Sequence, residues 1–203
     1  PLIVAGKDDT ACAGTAHRRQ QGSYLWRAQR RRARAGRVIQ WTLVASVDLH
    51  PQLRGQHGFF VLAQHQAGAI YRYYRGELRR LFADITISNA ICFSPDRRYA
   101  YFADTHRQRI WRQALDEQHG WPSGEPQPFI DGRVAGLNPD GAVVDTQGRL
   151  WNAQWGASRV ACYDHHGQFL QAVAFAASQI SCPVFAGPDL STLFVTSARE
   201  GME

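Results

Sequence analysis

Residues 89–105 read NAICFSPDRRYAYFADT, and the fold follows from how this stretch is punctuated. Asn89 heads an apolar run, Ser94-Pro95-Asp96 breaks it with turn chemistry, and an aromatic strand resumes at Tyr99. The same form recurs in DGAVVDTQGRLWNAQ from Asp140 and in CPVFAGPDLSTLFVTS from Cys182. Their turns fall at Asp145-Thr146-Gln147-Gly148 and Gly187-Pro188-Asp189. The residues after each hairpin repeat as well, as QRIWRQALD behind the first and SRVACYDHHGQFLQAVAF behind the second. Further back, GAIYRYYRGELRRLFA at 68–83 is again strand, turn, strand. The segment GFFVLAQHQAGAIYRY from Gly58 aligns without a gap on GRLWNAQWGASRVACY from Gly148.

The repeat is 51 residues from Asn89 to Asp140 and 42 from Asp140 to Cys182. The longer spacing contains EQHGWPSGEPQPFIDGRVAGLN, whose glycines and prolines read as a loop. Units of about four short strands at a period of roughly 40–50 residues are the signature of a β-propeller. A β-sandwich has short strands but no such repeat, the GH…WD signature of a WD40 array is absent, and 50–203 shows no helical periodicity. The expected fold class is therefore all-β, a β-propeller with about four blades in this chain.

The remaining sequence sets limits. The 203 residues are 44% hydrophobic and 20% charged, which suits one soluble domain with a sizeable core. No apolar run approaches the ~20 residues of a membrane span. The chain begins with Pro1, so a missing leader carries no information. The net charge of +6 is local: residues 1–50 hold nine of the 23 Lys and Arg but only three of the 17 acids. The run RRQQGSYLWRAQRRRARAGR at 18–37 could attract nucleic acid or an anionic surface, but a solvated segment explains it better and nucleic acid is disfavoured. Cys12, Cys92, Cys162 and Cys182 form no C-x-x-C pair. They read as free thiols in a reducing compartment, hence a cytoplasmic protein without membrane attachment. The expected organisation is a divergent basic segment over 1–47 and a partial propeller over 48–203.

The repeat gives the polar residues meaning. In a propeller the first strand of each blade lines the central channel, and Asn89, Asp140 and Cys182 share one repeat position, with His50 the fourth equivalent. An isolated Asn or Asp there is ordinarily a turn residue bonded to its own backbone. Matched on separate blades, an amide oxygen and a carboxylate converge and suit a hard divalent cation such as Ca²⁺, or Zn²⁺ or Mn²⁺ with further ligands. Asp96, Asp104, Asp145 and Asp189 sit at turns or strand ends and are expected to be turn-formers.

The stretches ITISNAICFSPDRRYAYFADT (85–105), NPDGAVVDTQGRLWNAQWGASRVACYDHHG (138–167) and FAGPDLSTLFVTSAR (185–199) resemble the gluconolactonase, regucalcin and senescence-marker-protein family of six-bladed propellers. The resemblance covers 68–203 well and 48–67 weakly. It implies a metal-dependent sugar lactonase that opens an aldonolactone. It implies that Asn89 is a metal-binding asparagine, and that Asp140 is a metal ligand and the general base. Two family features are missing: the R-x-N-D-G segment, where this chain has His50, and an N-terminal ligating glutamate, since no Glu precedes Glu77, which reads as a hairpin-turn residue. Residues 11–57 resemble no blade. An out-of-frame reading of a GC-rich gene would give such a composition, as would an appended basic segment. The alternative to a lactonase is a non-catalytic metal-binding propeller or an inactive fragment.

Overall fold

The computed structural model describes residues 65–74 and 77–199, together with the backbone of four short strands before them. These are β1 (Leu2–Ala5), β2 (His17–Arg18), β3 (Tyr24–Leu25) and β4 (Thr42–Ser46). The described residues contain no α-helix, as the missing 3.6-residue periodicity requires. They divide into two compact units, residues 13–88 and residues 1–12 with 89–203.

The larger unit is built from the repeated stretches. β7 (Ser88–Phe93), β8 (Tyr99–Asp104), β9 (Arg109–Ala114) and β10 (Gln127–Asp131) form one four-stranded meander in that order. β11 (Asn138–Val144), β12 (Leu150–Trp155), β13 (Arg159–Tyr163) and β14 (Phe169–Ala174) form the next. β15 (Ile180–Ala186) and β16 (Thr192–Ser197) begin a third, and β1 lies parallel along the free side of β16. Up-and-down sheets of four neighbouring strands are the blades of the propeller class.

The aspartates at the hairpins act as expected. Asp96 accepts from the Ser94 hydroxyl at 2.5 Å and the Arg98 N–H at 3.0 Å. Asp145 accepts from the Gln147 and Arg149 N–H groups, and Asp189 from that of Ser191. Each side chain closes its own turn and so fixes the register of the strands on either side. Asp104 caps the short 3₁₀ turn Thr105–Arg107 by accepting from the His106 N–H.

Two expectations are corrected. The Gly- and Pro-rich segment after Glu117 is not wholly loop, because it contains β10. β10 is an edge strand, where Pro128 is tolerated because an edge has a side on which no neighbour needs its missing N–H. Glu77 is the first residue of β6 (Glu77–Ile85) rather than a turn residue. In the smaller unit, β6 pairs with β5 (Gly68–Tyr74), and the other edge of β5 is taken by β4. The strand expected from the alignment before His65 lies outside the described residues.

The core lies between successive sheets. Ala90, Tyr101, Ala103, Ile110 and Leu150 pack as one cluster, with Phe129, Ala142 and Val144 against it. Trp151, Ala153, Val160, Cys162, Ile180, Leu193 and Val195 form the next, between the second sheet and the third. Because β12 is covered on both faces, five of its six residues are buried and no apolar–polar alternation survives.

Close approach of the sheets forces one residue choice. A Cβ on Gly141 would lie 2.7 Å from the Ser181 carbonyl oxygen, 2.8 Å from the Cys182 sulfur and 2.9 Å from the Cys182 Cα. Two of these are backbone atoms, which yield little. Gly141→Ala is expected to cost about 1–3 kcal/mol through overpacking. A urea midpoint for the variant equal to that of the parent chain would show that β11 and β15 separate freely.

Candidate metal centre

Asn89 is the second residue of β7 and Asp140 the third of β11, so the two lie on first strands of neighbouring sheets. Both are half-buried. They are joined through a residue that the sequence did not single out. The Asn89 Nδ2 donates to the Thr105 Oγ1 at 2.8 Å, and the Thr105 hydroxyl donates to the Pro139 carbonyl at 2.6 Å. Pro139 is bonded directly to Asp140. Beside this contact, Gln108 Nε2 donates to Asn138 Oδ1 at 3.1 Å. The 3₁₀ turn after β8 therefore grips the head of β11 at two points, and the cap supplied by Asp104 holds the turn.

Asp140 and Gly141 sit where β11 slips register against β12, between Pro139 and Ala142. A bulge of this kind re-aims side chains but strips nearby carbonyls of ladder partners. Asn152, 1% exposed on β12, meets that need, with Nδ2 donating to the carbonyls of both Asp140 and Gly141 at 3.1 Å. On β7 the residue after Asn89 is also irregular: Ala90 has φ +55°, a region costly for a residue with a Cβ. Both candidate residues thus stand on distorted backbone, as functional side chains often do.

Burial pushes the Asp140 carboxyl up to about 7, against a weaker downward pull from the Gly141 N–H. Among the described residues this carboxylate has no cationic partner, unlike Asp145, which has Arg149 at 2.7 Å. Asn89 Oδ1 accepts no hydrogen bond among the described residues. An amide oxygen and a carboxylate oxygen are the hard donors that Ca²⁺ and Mn²⁺ take, so these residues fit a divalent cation. Two protein donors do not complete its shell, and no group of three His, Cys, Asp or Glu occurs among the described residues.

The other sequence candidates fall differently. Cys182, half-buried on β15, lies against Gly141. His50 lies outside the described residues, as do Cys12 and most of the basic run. Glu77 pairs with Arg79 at 2.5 Å on the exposed surface. Cys92 and Cys162 are free thiols, pushed up in pKa by burial. Below the Asp140 strand, Gln108, Pro139, Asn152 and Gln154 help line a cavity of about 10 Å³, enough for one water and far too small for a sugar. No helix among the described residues is long and apolar enough to cross a membrane.

The sequence matches the SMP-30/Gluconolactonase/LRE-like region over residues 52–199. The chain belongs to this family. Its relatives include a Rhizobium meliloti (strain 1021) protein, 43% identical over 141 residues, which cover 70% of this chain and 48% of that one. L-arabinolactonase of Azospirillum brasilense is 36% identical over 155 residues, 71% of this chain and 50% of the relative. Among solved structures, a calcium-binding protein, regucalcin, of Agrobacterium tumefaciens str. C58 superposes with a TM-score of 0.72 at 38% identity, covering 81% of this chain and 52% of that one. The chain spans about half the length of the relatives it matches.

The raised Asp140 pKa has a direct consequence. A carboxyl that titrates higher folded than unfolded favours the protonated folded state. Its stabilising contribution is full below about pH 4 and is lost as pH rises through about 7. In chelator, the parent chain is expected to lose thermal stability between pH 5 and 8 more steeply than Asp140→Asn. Parallel profiles would show that Asp140 is solvated and ordinary.

Proposed function

We propose that this chain is a sugar lactonase, or the portion of one that carries Asn89 and Asp140, and that it opens an aldonolactone to the sugar acid with one divalent metal ion as cofactor. The substrate is a small sugar lactone, and the parent architecture is a six-bladed propeller of which 48–203 forms part. The observation that carries this reading is the coupling of Asn89 to the Asp140 strand through Thr105, in a chain of the lactonase family.

Each residue's chemistry suits its part. The Asn89 oxygen can donate only a lone pair, so it binds and positions without exchanging a proton. Asp140 can both bind a cation and accept a proton, because its carboxylate carries lone pairs and is a base. A divalent cation, when bound, supplies positive charge that polarises the ester carbonyl and keeps Asp140 ionised. Asp140 takes a proton from the water whose oxygen adds to the carbonyl carbon. As the ring C–O bond breaks, that proton passes to the ring oxygen, giving the hydroxy acid. Gly141 brings the β11 bulge close against β15, and Asn152 holds its carbonyls in place.

The second reading is a metal-binding propeller without catalysis, or an inactive fragment. It is favoured by the two-donor set among the described residues. Hydrolysis of a panel of aldonolactones, with Ca²⁺, Zn²⁺ or Mn²⁺ and with Asp140→Ala as control, separates the two. Metal-dependent turnover that falls by at least about 10²-fold in the control is expected, the scale of a lost general base. Metal binding by folded protein with no turnover would assign the second reading.

A further inference from the structure

We propose that Thr105 is a positioning residue that fixes which end of the Asn89 carboxamide is presented as a ligand, an inference that rests on reading Asn89 as an oxygen donor to a divalent cation. The decisive feature is hydrogen-bond direction. A threonine hydroxyl has one proton. Here that proton goes to the Pro139 carbonyl, which can only accept, at 2.6 Å. Toward Asn89 the Thr105 oxygen can therefore only accept, and the atom 2.8 Å from it must be an N–H donor. Nδ2 is committed to Thr105, and Oδ1, on the other arm of the planar amide, is the free acceptor. A flipped amide would set two acceptors against each other and leave Nδ2 facing the cation.

No other group among the described residues imposes that choice. Asn89 makes no other side-chain hydrogen bond there, and Ala90 behind it offers no polar side chain. Thr105 is itself held, because Asp104, fully buried, caps its turn at the His106 N–H and lies 3.5 Å from the Arg107 Nε. The relay also crosses between sheets, since Thr105 comes directly after β8 and Pro139 belongs to β11. One hydroxyl thus orients the Asn89 amide and ties it to the strand that carries Asp140. Partners that orient a ligand in this way typically change metal affinity about 10–100-fold when removed.

The test uses the full ¹⁵N-labelled chain, with Thr105→Val, which keeps the shape and removes the hydroxyl, and Thr105→Ser, which restores it. The Asn89 side-chain NH₂ signals are assigned by their loss in Asn89→Ala. They are expected to be exchange-protected in the parent chain and in Thr105→Ser, and shifted and unprotected in Thr105→Val. Mn²⁺ affinity, read by titration calorimetry, is expected to fall about 10-fold or more in Thr105→Val and to return in Thr105→Ser. If the valine variant does not fold, Thr105→Ala carries the same comparison. Unchanged Asn89 NH₂ signals in the valine variant overturn the proposal, as does unchanged Mn²⁺ affinity when those signals move. A parent chain that binds Mn²⁺ no better than Asp140→Asn defeats the cation reading instead, and the NH₂ signals then still decide whether Thr105 orients the amide.

Discussion

A sheet buried on both faces cannot stand alone, and that constraint organises this molecule. β12 has five of six residues buried because the first sheet covers one face through Leu150 and the third covers the other through Trp151 and Ala153. Apolar burial is worth about 25 cal/mol per Å², so each sheet is stabilised mainly by its neighbours. Neighbouring first strands are thereby brought close at fixed register. Asn89 is thereby linked, through Thr105, to the strand that carries Asp140.

The site exploits the places where this packing is irregular. β11 bulges at Asp140 and Gly141, and only glycine lets it approach the Ser181 and Cys182 backbone. The carbonyls freed there are recovered by Asn152, a buried amide whose side-chain N–H groups satisfy both. β7 places Ala90 at positive φ beside Asn89. Costs of this kind persist where the surroundings over-determine the backbone. The surroundings here are two apolar clusters and the capped turn that begins at Thr105.

Charge separates the aspartates into two kinds. Those at the hairpins are held below the usual carboxylate range by hydrogen bonds within their own turns and strands: Asp96 first by the Ser94 hydroxyl, Asp189 first by the Ser191 hydroxyl, and Asp145, against its own burial, by the Trp151 indole and Arg149. Asp140 goes the other way because burial is offset only by one N–H. The sequence set Asp140 apart from the turn aspartates by its repeat position alone. Their difference is one of environment: a turn aspartate bonds its own loop, while Asp140 is half-buried where β11 slips register against β12.

The sequence by itself determined the strand pattern, the hairpin aspartates and the matched positions of Asn89 and Asp140, because turns and strands are local and repeats are countable. It misjudged β10, since proline marks a loop in most settings and an edge strand only when the neighbours are known. It could not show Thr105 or Asn152 as anything more than residues at a strand end and in a strand. Their roles depend on carbonyls 34 residues away for Thr105, and 12 and 11 residues away for Asn152. Hydrogen bonds are satisfied in space, so only the tertiary structure decided which side chains hold the Asn89 amide and the carbonyls around Asp140 in place.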